Sequence, residues 1–208
     1  MGEAPDKLPP PKKGRMDKMS ADYKTNINSI AASNFLAPEI SVTYFSVLEF
    51  VCAEQFRGAC HVTAALLHVL LREKGIENTL VCGELGKGEN YFDHSWVEID
   101  GKIYDIAVAL PLIEKFDGHP IFASCDISTL AQPTWTYGVS SGIADDPSMS
   151  AIKACSFVEY MDNAPYHKHG LWHFAQKLGR KLGLRLNLNA MRNKFSGTIW
   201  TEKKAPKF

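Results

Sequence analysis

The chain is 208 residues long, 45% hydrophobic and 22% charged, with a formal net charge of zero, a balance ordinary for one soluble globular domain with extensions. No apolar run is long enough to cross a bilayer and no apolar signal core follows Met1, so a cytoplasmic protein with no membrane contact is expected. The five cysteines, Cys52, Cys60, Cys82, Cys125 and Cys155, are odd in number and lack zinc-knuckle spacing, which argues against a disulfide framework or a structural zinc; neither a metal nor a cofactor is expected.

Residues 1–19 read as disordered, because Pro9-Pro10-Pro11-Lys12-Lys13-Gly14 suits neither helix nor core strand and little apolar surface is available to bury. Residues 20–208 read as a single domain. A short helix is expected from Ser20 to Asn34, an interruption at Pro38, and a second helix from Ile40 to Phe56. Arg57 to Gly75 is the clearest helix: Ala and Leu dominate, Lys74 sits in the last turn and Gly75 can close it. It is apolar on nearly all sides and should be central and buried. Thr79 to Gly83 reads as a strand and Gly86 to Asn90 as a loop. His94 to Val108 reads as a hairpin turning on Asp100-Gly101, a pair that tolerates positive φ at both positions. Residues 109–150, punctuated by Pro111, Pro120, Pro133 and Pro147, yield only short elements. Helices are expected from Ser150 to Met161 and from Gly170 to Leu182.

Charge is divided along the chain. Residues 25–164 hold seven Lys/Arg and eighteen acids, whereas residues 165–208 hold ten Lys/Arg and one acid, Glu202. The basic C-terminal extension from about residue 165 either attracts the acidic body or docks an anionic partner; the first is favoured, because no nucleic-acid motif accompanies the charge.

Chemistry concentrates at three residues. Cys60 follows Gly58 at the start of the central helix, where free N–H groups and the positive dipole end favour thiolate over thiol. The same N–H groups can donate to an oxyanion, and Gly58 lets a substrate approach the backbone. With Asp100 and Gly101 in the turn, Ile99 opposes Lys102, Trp96 opposes Asp105 and His94 opposes Ala107. Side chains alternate along a strand, so His94, Trp96, Asp105 and Ala107 share a face. His94 and Asp105 are then diagonal neighbours about 7–8 Å apart at Cα, within side-chain reach. A carboxylate on one imidazole nitrogen fixes the tautomer and leaves the other for a thiol. Cys60, on a helix packed across that face, completes a nucleophile, base and orienting acid.

Gly58-Ala59-Cys60 followed by His94-Ser95-Trp96-Val97-Glu98-Ile99-Asp100-Gly101-Lys102-Ile103-Tyr104-Asp105 resembles the transglutaminase-like branch of the papain-like cysteine enzymes, and within it the bacterial transglutaminase-like peptidases of peptide maturation. The resemblance covers roughly residues 55–108. It implies an α+β, papain-like fold in which a central Cys-bearing helix packs on an antiparallel sheet. It also implies thioester chemistry on a peptide or protein amide, by a peptidase, an amidase or a transglutaminase-like enzyme. The segment lacks the aromatic residue that often follows Gly in related enzymes. Arg57-Gly58-Ala59-Cys60 also partly echoes arylamine N-acetyltransferases, which would take an acyl group from acyl-CoA; one Gly is missing and the His-to-Asp interval is shorter. A non-catalytic module that binds a peptide or protein is the third reading.

Secondary candidates surround these. Gln55 stands where papain-like enzymes place an oxyanion-hole Gln, although a solvated helix residue is the favoured reading. Trp96 could wall the substrate site or simply fill core. His61 should point away from Cys60 on the helix and be a poor base. His167, His169 and His173 have spacing that could converge on a metal, but no acid or Cys accompanies them, and an exposed polar stretch is the better reading.

Overall fold

The computed structural model describes residues 13–31, 37–116, 118–165 and 167–205. Helix α1 spans Lys13–Ala31 and α2 spans Ala37–Ala53. Residues 13–19, expected to be disordered, are therefore helical, and residues 1–12 lie outside the described part, as do 32–34 of the expected first helix. Pro38 does not interrupt α2 but sits in its first turn, where a missing N–H costs no intrahelical bond. Helix α3, Cys60–Glu73, is buried from Cys60 to Leu71 and is followed by Gly75 at φ +76°. Ile27 of α1, Tyr44, Val47 and Val51 of α2 and most of α3 form one core.

Strands β1 (Thr79–Lys87) and β2 (Asn90–Ile99) form a long hairpin, with only Gly88 and Glu89 between them. The expected loop at 86–90 is thus a tight turn. Strand β3 (Lys102–Tyr104) pairs with β2 through Ile99↔Lys102 and Val97↔Tyr104, and Asp100 and Gly101 take φ of +50° and +73° in the turn. The register agrees with the reading from the turn, but the strand is shorter than expected. Asp105 Oδ1 accepts the N–H groups of Ala107 and Val108, which draws the chain into a 3-10 turn at Ala107–Ala109. Ala107 therefore does not oppose His94.

A small ribbon, β4 (Ile121–Phe122) and β5 (Cys125–Asp126), and strand β6 (Thr136–Val139) follow. Helices α4 (Pro147–Ala154) and α5 (Phe157–Asn163) replace the single helix expected over 150–161. The break is a capping box: Ser156 Oγ accepts from Glu159 N while the Glu159 carboxylate accepts from Ser156 N. Helices α6 (Trp172–Lys181) and α7 (Leu188–Lys194) precede strand β7 (Thr201–Lys203). The main sheet runs β3-β2-β1-β6, with β7 joining β1 in parallel.

The fold is α+β, with the Cys-bearing helix against an antiparallel sheet. The faces of β2 divide differently from the expectation. Val97 and Ile99 join the core that contains the body of α3, and Ser95 bonds His61 of α3. Phe92 and Trp96 lie on the other face, in a second apolar cluster with Leu85, Val108 and Trp135. The helix body thus packs on the face opposite His94, and its first turn is what meets the histidine.

Lys177, Arg192, Lys194 and Lys203 of the basic extension form ion pairs with Glu54, Asp162, Glu73 and Glu98. Among the described residues, no helix is long and apolar enough to cross a membrane.

Candidate active site

A cavity of about 210 Å³ opens where the start of α3, the middle of β2 and the loop after the 3-10 turn converge. Cys60, His94, Asp93 and Gly58 line it, with Leu112 and Phe116 as its apolar wall.

Asp105 is 2% exposed and its carboxylate is fully engaged. Oδ2 lies 2.7 Å from His94 Nε2 and accepts the Tyr137 hydroxyl at 2.7 Å, while Oδ1 accepts the N–H groups of Ala107 and Val108. Tyr44 of α2 donates to the Asp105 carbonyl at 3.0 Å. With Nε2 on the carboxylate, Nδ1 is the nitrogen left to His94 for the thiol that lines the same cavity.

Burial opposes charge on both groups, and their mutual attraction overrides it. Burial pushes the Cys60 thiol up, but the charges and hydrogen bonds of His61 and His94 outweigh this and bring it down to about 5. Burial pushes the His94 imidazole down, but the carboxylate of Asp105 and the sulfur of Cys60 raise it to about 10. At neutral pH the favoured pair is thiolate and imidazolium. The other cysteines shift the opposite way: burial lifts Cys52 and Cys82 to about 11, and Cys125 and Cys155 also rise. Ala59, the N-cap of α3, offers no side-chain bond to the first-turn N–H groups, so these remain donors for an oxyanion beside the sulfur.

The remaining candidates fall differently. Gln55 adopts φ +55° and its amide donates to Cys52 O at 2.6 Å, closing the end of α2; its side chain is turned to its own backbone rather than to the cavity. Trp96 is 1% exposed, packs edge-on against Tyr137 and donates to Glu98. It is core, not cavity wall. Gly58 does line the cavity, with its N–H on Leu110 O at 2.8 Å. His61 is buried, with its ring nitrogens on Ser95 and Ser148. His167 and His173 stack at 3.8 Å between centroids, and among the described residues no group of three or more His, Cys, Asp or Glu could hold a metal.

Tyr137 and Ser148 were not anticipated. Tyr137 reaches Asp105 because β6 pairs with β1, a relation without a local signature. Ser148 follows Asp146-Pro147, an N-cap and first-turn proline that marks a helix start.

The model of the transglutaminase-like superfamily matches residues 39–111, a segment that contains Cys60, His94 and Asp105. The match supports assigning this part of the chain to that superfamily, whose chemistry is cysteine-dependent acyl transfer or hydrolysis. No curated protein and no solved structure matches the chain.

Proposed function

We infer that the protein is a cysteine-dependent acyl-transfer enzyme acting on an amide or peptide through a thioester, with Cys60 as nucleophile, His94 as acid and base, and Asp105 as the group that orients His94. The observation that carries this reading is the buried His94–Asp105 pair, bonded at 2.7 Å, with His94 and Cys60 lining the same cavity.

The Cys60 thiolate attacks the carbonyl carbon, and the C=O electrons move onto oxygen beside the first-turn N–H groups of α3. As the C–N bond breaks, the His94 imidazolium gives its proton to the departing amine, leaving a thioester and a neutral imidazole. His94 then takes a proton from water or from a second amine as it attacks the thioester. The thiolate departs, and the imidazolium is restored. Asp105 holds the ring's tautomer throughout without taking its proton. Water gives hydrolysis, as in a peptidase or amidase; an amine gives transfer.

The test is a panel of amide and peptide substrates with the released amine measured, and thioester trapping by hydroxylamine. Activity lost in both Cys60→Ala and His94→Ala supports the assignment. Turnover unaffected by either substitution would sink it.

A further inference from the structure

The cavity that holds Cys60 and His94 has an acidic side and an apolar side. Asp93 of β2 and Asp146 at the start of α4 line the first, and Leu112, Ile113 and Phe116 line the second. Among the described residues no Lys or Arg lines it. The fold uses only part of the two carboxylates. Asp93 Oδ2 accepts the Asp146 N–H at 2.5 Å. Asp146 Oδ1 caps α4, accepting Met149 N at 2.8 Å and the Ser148 hydroxyl at 2.7 Å. That leaves Asp93 Oδ1 and Asp146 Oδ2. Lys153, the cation of α4, is committed to Asp145 and Glu202, and among the described residues neither Asp93 nor Asp146 is in an ion pair. Burial raises the Asp93 carboxyl above its ordinary value, and the charges of Asp146, Asp145 and Glu84 add to this while the Asp146 N–H opposes it, as expected where negative charge lacks a counter-ion.

On the apolar side Leu112 is 75% and Ile113 52% exposed, large side chains left open at the rim, where an interaction covers them. The cavity, about 210 Å³, is smaller than the roughly 300–1,000 Å³ of sites for drug-sized ligands. It suits one side chain together with the carbonyl attached to it. That side chain meets an apolar wall and unpaired carboxylates at once. Lysine and arginine have this make-up, an apolar stem with a cationic head. A plain aliphatic side chain leaves the carboxylates desolvated without a partner, and an acidic one is repelled.

We propose that the cavity selects a basic residue, so that the amide attacked by Cys60 is the one that follows a lysine or arginine of a peptide, with the stem on Leu112 and Phe116 and the head at Asp93 and Asp146. This rests on the assignment of Cys60 as nucleophile and adds a substrate class to it. Asp93 and Asp146 take no part in the steps at the carbonyl; they set which residue presents it.

The experiment is alkylation of Cys60 in the full chain by the chloromethyl ketones of N-acetyl-lysine, N-acetyl-norleucine and N-acetyl-alanine, with rates read by peptide mass spectrometry. Norleucine keeps the stem without the ammonium, and alanine lacks both. Lysine is expected to react about tenfold faster than norleucine, and norleucine faster than alanine. The double variant Asp93→Asn/Asp146→Asn retains acceptors for the backbone bonds and should bring the lysine rate down to that of norleucine. A lysine rate no higher than norleucine's in the unaltered chain overturns the proposal, as does a lysine preference that survives the double variant. Iodoacetamide separates this from failure of the nucleophile. If Cys60 reacts with it no faster than a free thiol and His94→Ala changes nothing, the assignment of Cys60 itself falls. Fast reaction there with no lysine preference removes only the basic specificity.

Discussion

Tyr137 donates its hydroxyl hydrogen to Asp105 Oδ2 at 2.7 Å, on the same oxygen that meets His94 Nε2. Burial and the charge of Asp105 hold the phenol well above its usual range, so it remains a donor. Tyr137→Phe should cost about 1–2 kcal/mol of stability in urea unfolding. It should leave neutral-pH alkylation of Cys60 largely intact, because His94 keeps its carboxylate. Loss of both together would give Tyr137 a larger role than a buried strut.

Removing the carboxylate is a heavier change. Asp105→Ala leaves His94, Tyr137 and the N–H groups of Ala107 and Val108 without their acceptor in a buried site. A loss of about 3–5 kcal/mol is expected. Asp105→Asn keeps the shape and much of that stability, yet its neutral amide no longer supports the imidazolium, so Cys60 alkylation at pH 7 should slow markedly. Denaturation curves and alkylation rates on the same samples distinguish the two effects.

Much of this centre was legible locally and part of it was not. The Asp100-Gly101 turn fixes the β2–β3 register, which puts His94 and Asp105 on one face, and the Ala/Leu-rich run defines α3. The side of the sheet on which α3 packs is not legible, because the period of two in a strand separates faces without saying which helix covers which. Asp105 was read as a strand residue when its carboxylate also bends the chain, a choice between ladder and side-chain bonding that propensity does not decide. The Ser156-Phe157-Val158-Glu159 capping box is a local signal that divides the helix expected over 150–161 in two. Tyr137 depends on pairing between β1 and β6, far apart in sequence, and no local pattern announces that contact.

Selective labelling follows from the thiol environments. At pH 6.5 Cys60 lies above its value of about 5, whereas Cys52 and Cys82 lie far below theirs of about 11. Substoichiometric iodoacetamide should therefore mark Cys60 first, and the preference should fade as pH rises toward 9. Peptide mapping that found the cysteines labelled equally at pH 6.5 would contradict the ion pair.

Gly58 should resist replacement. Its φ is +63°, and an added Cβ would come within 2.9 Å of Leu112 Cβ on the cavity wall. Gly58→Ala is expected to cost about 1–2 kcal/mol through backbone strain and displacement of Leu112. Thermal unfolding measures the cost, and a slower alkylation of Cys60 would report the narrowed cavity.

His68 makes stability depend on acid. Burial drives its imidazole down to about 4, helped by Arg72 and opposed by the bond from its Nδ1 to Asn78 Oδ1. Between about 6.5 and about 4 the unfolded chain binds a proton that the folded chain refuses. His68 therefore contributes stability above pH 6.5, and that contribution is lost as pH falls through the window, with a slope of up to about 1.4 kcal/mol per pH unit. His68→Gln should flatten this part of the stability curve in urea titrations at successive pH values.

Strand β7 lies beside the strand that carries Val81 and Gly83, although it comes near the end of the described chain. The order of synthesis therefore matters. The β1–β2 hairpin and α3 can form while the ribosome is still translating the helices that follow, but β1 must wait for Thr201–Lys203 before its parallel partner exists. Until then one side of β1 has unpaired backbone groups and Trp200 has not reached His61. A contact this distant in sequence is costly to close and forms slowly. The thiol centre is thus assembled first from nearby residues and enclosed last, and a nascent chain stalled before residue 200 would display the Val81–Gly83 part of β1 as an open edge, the rest being covered by β6.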